Sequence, residues 1–422
     1  MPHADAAPEG RPSARAGWRT WLFIGATGFG GPAGQLAILH RELVERHRWI
    51  GEEEFLAAMR LCLFLPGPEA QQLATYAGWR LGGVRGGILS GTLFVLPGAI
   101  LVTILAWVHA AGGRLPLVRD AFAGTRPAVV ALVALAAWRI GRRSLRSPAA
   151  VGLAAAAGLA LAAGVAFPVV ALLAAVCGLL APAGGLGEDE RPAAAGPSNG
   201  DVRTGGVARR VLAKAAVWAI GWLACYAAVV GSAGAGGRGA QIARLFTETT
   251  LLSFGGAYAV VPWALDESLA RGWLEPAERF DALAMGEATP GPLILVVTFI
   301  GFLAGWRTSP DGDAGAGLAG ATIATTFAFL PSFALVLTLA PFVRSIRPGS
   351  RPARALTAVG CAVVAAIVML ILGLARDALV PGGRPAPLPI AVAAASGLVL
   401  ARSQAARRWW CWPPRRSAPS PG

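Results

Sequence analysis

The tripeptide Pro-Gly-Pro stands twice in this chain, at Pro66-Gly67-Pro68 and at Pro290-Gly291-Pro292. Each copy lies 17 residues after a tryptophan, Trp49 or Trp273, and follows a Phe-Gly-Gly motif, Phe29-Gly30-Gly31 or Phe254-Gly255-Gly256. Three landmarks recur in the same order about 225 residues apart, which marks one ancestral unit present twice. Proline and glycine interrupt helices, so each half must contain matched backbone breaks. In an apolar chain, matched breaks in two halves point to a transporter's substrate site.

The chain is apolar: 55% of its 422 residues are hydrophobic and 14% are charged, against about 25% charged in soluble proteins. Apolar blocks at 86–110, 149–180, 211–231, 316–340 and 355–374 approach the roughly 20 residues that cross a bilayer as helix. The expected fold is an all-α polytopic membrane protein of two homologous halves, arranged as inverted-topology repeats with broken or half-length helices. The net charge of +14 comes from short basic runs between apolar blocks, at 139–146, 203–214, 344–354 and 402–416. That is the pattern of cytoplasmic loops. A nucleic-acid partner would need the basic residues on one polar domain, so none is expected.

The five cysteines form no CxxC pair, and His40 and His47 lack a metal-ligand context. No GxxxxGK[ST] loop is present, and no nucleophile–base pair falls in the apolar blocks. The chain therefore reads as a non-enzyme without metal or cofactor.

Its organisation reads as a disordered tail (1–17), a first repeat (18–182), a cytoplasmic linker rich in Gly, Pro and charge (183–208), a second repeat (209–401) and a basic tail (402–422). In the first repeat the expected elements are 18–39, 53–65, 68–82, 86–110, 121–140 and 149–181, the last either one tilted helix or a pair broken near Phe167-Pro168. In the second they are 209–231, which is extra, then 241–262, 277–289, 292–306, 315–342, 354–375 and 386–401. The repeat continues past the breaks, with Leu96-Pro97 matching Leu330-Pro331. Arg11, Arg15 and Arg19 favour a cytoplasmic N-terminus; thirteen crossings then leave the basic C-terminal tail outside, against the charge rule.

The elements before each Pro-Gly-Pro are too short to span, and read as hairpins or half-spans meeting within the membrane. Non-helical backbone at that depth is tolerated where it lines a cavity or lies buried in protein. Pro68 and Pro292 suit the start of a helix, whose free N–H groups and dipole form an anion site. Gly30, Gly31, Gly255 and Gly256 would let backbone approach the ligand. Packing and kinking alone would account for any one motif, but not for their duplication. The candidate binding residues are Phe29, Gly30, Gly31, Pro32, Arg60, Pro66, Gly67, Pro68, Glu69, Gln72, Phe254, Gly255, Gly256, Pro290, Gly291 and Pro292. Arg60 could neutralise a divalent anion. Glu69 and Glu287 either carry a coupled proton or cap helices; Arg80 reads as snorkelling to headgroups. The first break is followed by Glu69-Ala70-Gln71-Gln72 and the second by Leu293-Ile294-Leu295-Val296, so the first half is the more polar side.

Phe29-Gly30-Gly31-Pro32, the Trp49 to Pro-Gly-Pro spacing, and Pro66-Gly67-Pro68-Glu69-Ala70-x-Gln72-Leu73-Ala74-Thr75-Tyr76 resemble the chromate ion transporter family. So do Ser253-Phe254-Gly255-Gly256, Trp273-Leu274 and Thr289-Pro290-Gly291-Pro292, although Ala257 replaces the proline found at Pro32. The resemblance covers roughly 18–180 and 240–400. It implies the long two-domain form, multi-pass in a bacterial inner membrane, with halves of opposite orientation. It also implies secondary active export of chromate, a sulfate-like dianion, and hence chromate resistance. A sulfate or other oxyanion uptake carrier, or an anion channel, on the same scaffold stays open, as does a homodimer.

Overall fold

A computed structural model describes residues 14–29, 31–112, 116–182, 184–186, 204–254, 257–341, 351–380 and 386–410. The described residues form fifteen α-helices and no strand. In the first half these are α1 (Ala14–Thr27), α2 (Gly31–His40), α3 (Glu52–Phe64), α4 (Glu69–Gly112), α5 (Pro116–Ser144), α6 (Pro148–Ala162) and α7 (Phe167–Leu180). A π-helical turn, Arg41–Arg46, continues α2. Then follow α8 (Thr204–Ala233), α9 (Arg238–Leu251), α10 (Val261–Ala270), α11 (Glu278–Ala288), α12 (Val296–Trp306), α13 (Ala314–Leu339), α14 (Arg351–Leu379) and α15 (Pro387–Trp410). Short 3-10 turns, Ala257–Ala259 and Leu293–Leu295, precede α10 and α12.

Two expected elements are each a pair of helices. The apolar stretch 18–39 breaks after Thr27, and 241–262 breaks after Leu251. Few charged residues fall in either stretch, so composition alone joins helices that are separate. The stretch 149–181 is also a pair. Ser147 accepts the Ala150 N–H at 3.1 Å to cap α6, and Pro168 occupies the first turn of α7. Helix α1 starts within the expected N-terminal tail, α8 starts at Thr204 within the expected linker, and α15 runs past residue 401 to Trp410.

Helix α4 is not a straight rod. Gly82 and Gly83 have non-helical dihedrals, with Gly83 at φ 65°. The chain doubles back there: Ser90 Oγ donates to the carbonyl of Ala74 at 2.8 Å, a contact no straight helix could make. The first arm (69–81) thus packs against the second (84–112), as α12 packs against α13 in the other half.

Among the described residues, four helices are long and apolar enough to cross a membrane, including Val211–Ser232 within α8, none of which is buried. Helix α8 sits at the edge of the fold, tied to α9 by Trp222 Nε1 donating to Thr247 Oγ1 at 3.1 Å. Helices α3 and α11, with 13 and 11 residues, reach only about 20 and 17 Å at 1.5 Å per residue, short of the roughly 30 Å hydrocarbon. One continuous hydrophobic core joins both halves. Its symmetric pairs are α1 with the second arm of α4, and α9 with α13. Helix α14 packs against α5, α6 and α7 beside this centre.

Candidate functional site

The two Pro-Gly-Pro breaks are buried and each one touches the opposite half. Gly67 donates its N–H to the carbonyl of Ser253 at 3.3 Å, and Gly291 donates to the carbonyl of Gly28 at 3.2 Å. Ser253 and Gly28 are equivalent positions, each just before its Phe-Gly-Gly motif. A contact between residue i of one half and j of the other, matched by j with i, is what two-fold symmetry produces. Gly67 has φ 126° and Gly291 has φ 101°, so both breaks use a conformation that disfavours any residue with a Cβ.

A second reciprocal pair backs the first. A Cβ on Gly98 would stand 2.1 Å from the carbonyl oxygen of Pro290, and one on Gly67 would stand 2.8 Å from Ser332 Oγ. Gly98 follows Pro97 and Ser332 follows Pro331, the matched prolines of α4 and α13. Each break therefore meets the residue just before the other half's Phe-Gly-Gly motif and the proline-containing helix of that half.

The first break is lined with amides and hydroxyls. Gln72 donates from Nε2 to the carbonyl of Pro66 at 2.7 Å. Gln71 donates to Thr75 Oγ1 at 2.9 Å and accepts from Ser332 Oγ at 2.7 Å. Gln71, Gln72, Thr75 and Ser332 are fully buried. The carbonyl oxygen of the Gln72 side chain has no partner among the described residues. Gln72 N–H bonds back to Pro68 O at 2.9 Å, closing the first turn of α4. The amides of Ala70 and Gln71 precede it, in the first turn, where the helix itself supplies no acceptor. At the second break, Gln35 of α2 donates from Nε2 to both Gly291 O and Gly28 O, and is 1% exposed.

The structure buries Pro66, Gly67, Pro68, Gln72, Pro290, Gly291 and Pro292, with Glu69 half-buried at the start of α4. Pro68 and Pro292 stand immediately before their helical turns rather than as their first residues. The amides of Gly67 and Gly291 are engaged across the halves, so the donors left for an anion come from the following turns. Phe29 is 50% exposed, Arg60 lies on the exposed face of α3, and Pro32 and Phe254 are half-buried. Gly31 is half-buried; Gly30, Gly255 and Gly256 lie outside the described residues. Glu287 accepts a hydrogen bond from the Tyr258 hydroxyl, and Arg80 pairs with Glu54 at 2.8 Å. Sequence reasoning did not single out Gln35, Gly98, Ser332 or Tyr258. The matched prolines at 97 and 331 were the available signal for two of them.

The chromate transporter family model matches residues 17–180 and 240–411, one match per half. The chain belongs to the chromate transporter family. A chromate transport protein of Pseudomonas aeruginosa is 31% identical over 367 residues, covering 84% of this chain and 80% of the relative. A chromate transport protein of Cupriavidus metallidurans is 27% identical, covering 85% and 82%. The transporter YwrA of Bacillus subtilis, itself uncharacterized, is 25% identical over 120 residues; these are 67% of that protein and 28% of this chain. A relative that short has room for one half only. No solved structure matches the chain. Family membership and the apolar helices make this a multi-pass membrane protein.

Proposed function

We propose that this chain is a secondary active transporter that exports chromate across a bacterial inner membrane and so confers chromate resistance. The oxyanion passes between the two crossed breaks. The supporting observation is the reciprocal pairing of Gly67 with Ser253 and of Gly291 with Gly28. It packs the buried break of each half against the other half, which supports a site at the interface of the two repeats. The backbone at Gly28 and Ser253 forms one wall of this site. Pro66, Gly67, Pro68, Glu69, Gln72, Pro290, Gly291 and Pro292 form the other. The first turn of α4 offers amide donors at the positive end of its dipole, and Gln72 adds an acceptor that suits a protonated oxyanion or a bound water. Glu69 and Glu287 stand one at each break, where a coupled proton would be carried. The relatives named as chromate transport proteins support chromate as the substrate.

The test is radiolabelled chromate uptake into inverted membrane vesicles, with and without excess sulfate. Energy-dependent uptake that sulfate barely inhibits is the expected result. No uptake, with chromate sensitivity of the cells unchanged on deletion, removes the exporter reading. Uptake into right-side-out vesicles instead would favour an import carrier.

A further inference from the structure

The first break holds one buried acceptor with nothing to accept from. Gln72 is 0% exposed, and its Nε2 donates to the carbonyl of Pro66 at 2.7 Å. That bond fixes the amide: turned over, Oε1 would face the Pro66 oxygen, and two acceptors repel. Oε1 is therefore the atom left over, buried and without a hydrogen-bond partner among the described residues. The polar side chains around it are already used. Gln71 donates to Thr75 and accepts from Ser332 Oγ, itself 2.8 Å from where a Cβ on Gly67 would stand.

The break also presents no buried cation. Among the described residues no lysine or arginine is buried. Arg60 lies on the exposed face of α3, and Arg80 is taken by Glu54. What remains for an anion is the amides of Ala70 and Gln71 in the first turn of α4, with a helix dipole equivalent to about half an elementary charge. A dianion would set bare oxygens against Gln72 Oε1 and bring a second charge that nothing buried offsets. An oxyanion that keeps one proton reverses both effects: its charge is single, and its O–H donates to Oε1.

We propose that Gln72 Oε1 is a specificity-determining acceptor, which selects the hydrogen-bearing monoanion of the substrate over the dianion. The inference rests on the transport reading of this site and adds a means of telling chromate from sulfate. Both are tetrahedral dianions in alkali, but chromate takes up a proton near neutral pH and sulfate takes none until strongly acid pH. A site that pairs with a ligand hydroxyl rejects the analogue lacking it, because its own buried group is left unpaired. Oε1 is shut from solvent in this structure, so the oxyanion reaches it as the breaks part. Closing again over a bare dianion would strand it.

Few groups nearby could titrate in the ligand's place. Glu69 is on α4 itself, and α3 contributes the buried Cys62 and Glu54, the latter held by Tyr76 and Arg80. Helices α12 and α13 carry no ionisable side chain. Glu248 of α9 pairs with Arg244 on an exposed face, and His40 of α2 meets Glu45 and Glu52. Glu287 lies at the second break, while Glu278 and Asp281 of α11 lie beside His109 near the far end of α4.

The test is equilibrium binding of radiolabelled chromate to the full chain in nanodiscs across pH. Above the pH at which chromate gives up its proton, affinity for total chromate should fall about tenfold per pH unit, because only the protonated form binds. Sulfate should compete at least about a hundredfold more weakly than chromate, and so should perrhenate, a tetrahedral monoanion with no proton. Glu69→Gln should keep the slope, since the proton belongs to the ligand. Gln72→Met keeps the length of the side chain and removes the acceptor; it should flatten the slope and narrow the sulfate gap to within about tenfold. If Gln72→Met does not fold, the wild-type slope and the perrhenate competition decide. A flat wild-type slope, or one lost in Glu69→Gln, overturns the inference. Perrhenate competing as well as chromate also overturns it, since single charge alone is then read. A Gln72→Met protein with wild-type slope and sulfate gap does the same, with water serving Oε1. Chromate that binds with the expected slope but is not moved in proteoliposomes sinks the transport reading and leaves the acceptor role standing; no binding at any pH overturns both.

Discussion

The amide of Gly67 reaches the carbonyl of Ser253 in the other half of the chain, 3.3 Å away. The equivalent amide, Gly291, reaches Gly28 in the same way. Both donors sit at positive φ, so neither bond survives a side chain that forces the backbone back to negative φ. In Gly67→Ala and Gly291→Ala, the left-handed backbone alone should cost about 1–2 kcal/mol. In Gly67→Ala the new methyl also meets Gln72 Nε2 at 2.6 Å. Both variants should lose transport, measured as chromate flux at matched protein level. Equal loss in the two halves would support a shared site; full activity in either would count against it.

Gly98→Ala tests the second reciprocal contact. The Cβ would lie 2.1 Å from the carbonyl oxygen of Pro290, and backbone cannot yield as a side chain can. Its counterpart Ser332 already carries a side chain, so Ser332→Ala tests a hydrogen bond instead. It leaves Gln71 Oε1 buried without the Ser332 donor, a cost of about 1–3 kcal/mol. The expected order is a severe defect for Gly98→Ala and a milder, temperature-sensitive one for Ser332→Ala, read by thermal unfolding in detergent and by flux.

Much of this architecture was legible because it is written in helix breakers. The half-length helices α3 and α11 and the paired breaks follow from where Pro, Gly and apolar blocks fall. The crossing of the breaks was not legible. It consists of backbone N–H to carbonyl bonds between residues far apart in sequence, and backbone atoms leave no mark on residue identity. Gln35 was missed for a related reason. It sits in an apolar helix and has no polar match in the other half, so no repeat pointed to it. His109 and Glu278 were missed because their pairing depends on α4 folding back at Gly82 and Gly83, which brings the end of its second arm beside α11.

Gln35→Leu should separate support of the second break from any general packing role. Leucine nearly fills the space, but two buried carbonyls, Gly28 O and Gly291 O, lose their side-chain donor. The loss should be about 1–3 kcal/mol of stability. It should also weaken chromate affinity more than it lowers protein level. Gln35→Glu, which keeps the shape but places a charge at the break, should be worse than Gln35→Leu. A Gln35→Leu protein with wild-type unfolding temperature and wild-type flux would show that the bond contributes nothing.

Arg307 holds Glu278 through two side-chain hydrogen bonds, each 2.8 Å long. Its two bonds to Glu278 have the parallel geometry that guanidinium gives and ammonium does not, and it also donates from Nη1 to the carbonyl of Trp273 at 2.6 Å. Arg307→Ala leaves Glu278 buried without its guanidinium partner. Breaking a buried pair in this way typically costs about 3–5 kcal/mol; the partial exposure of Arg307 places the expectation at the lower end. Arg307→Lys should keep the charge but lose the fork, and fall between wild type and alanine. Adding Glu278→Gln to Arg307→Ala should recover part of the lost stability, because the stranded charge is then gone. Unfolding temperatures of the four proteins at neutral pH check this order. A double variant less stable than Arg307→Ala alone would mean that Glu278 supports the fold through its bonds to Glu275 and His109, independently of Arg307.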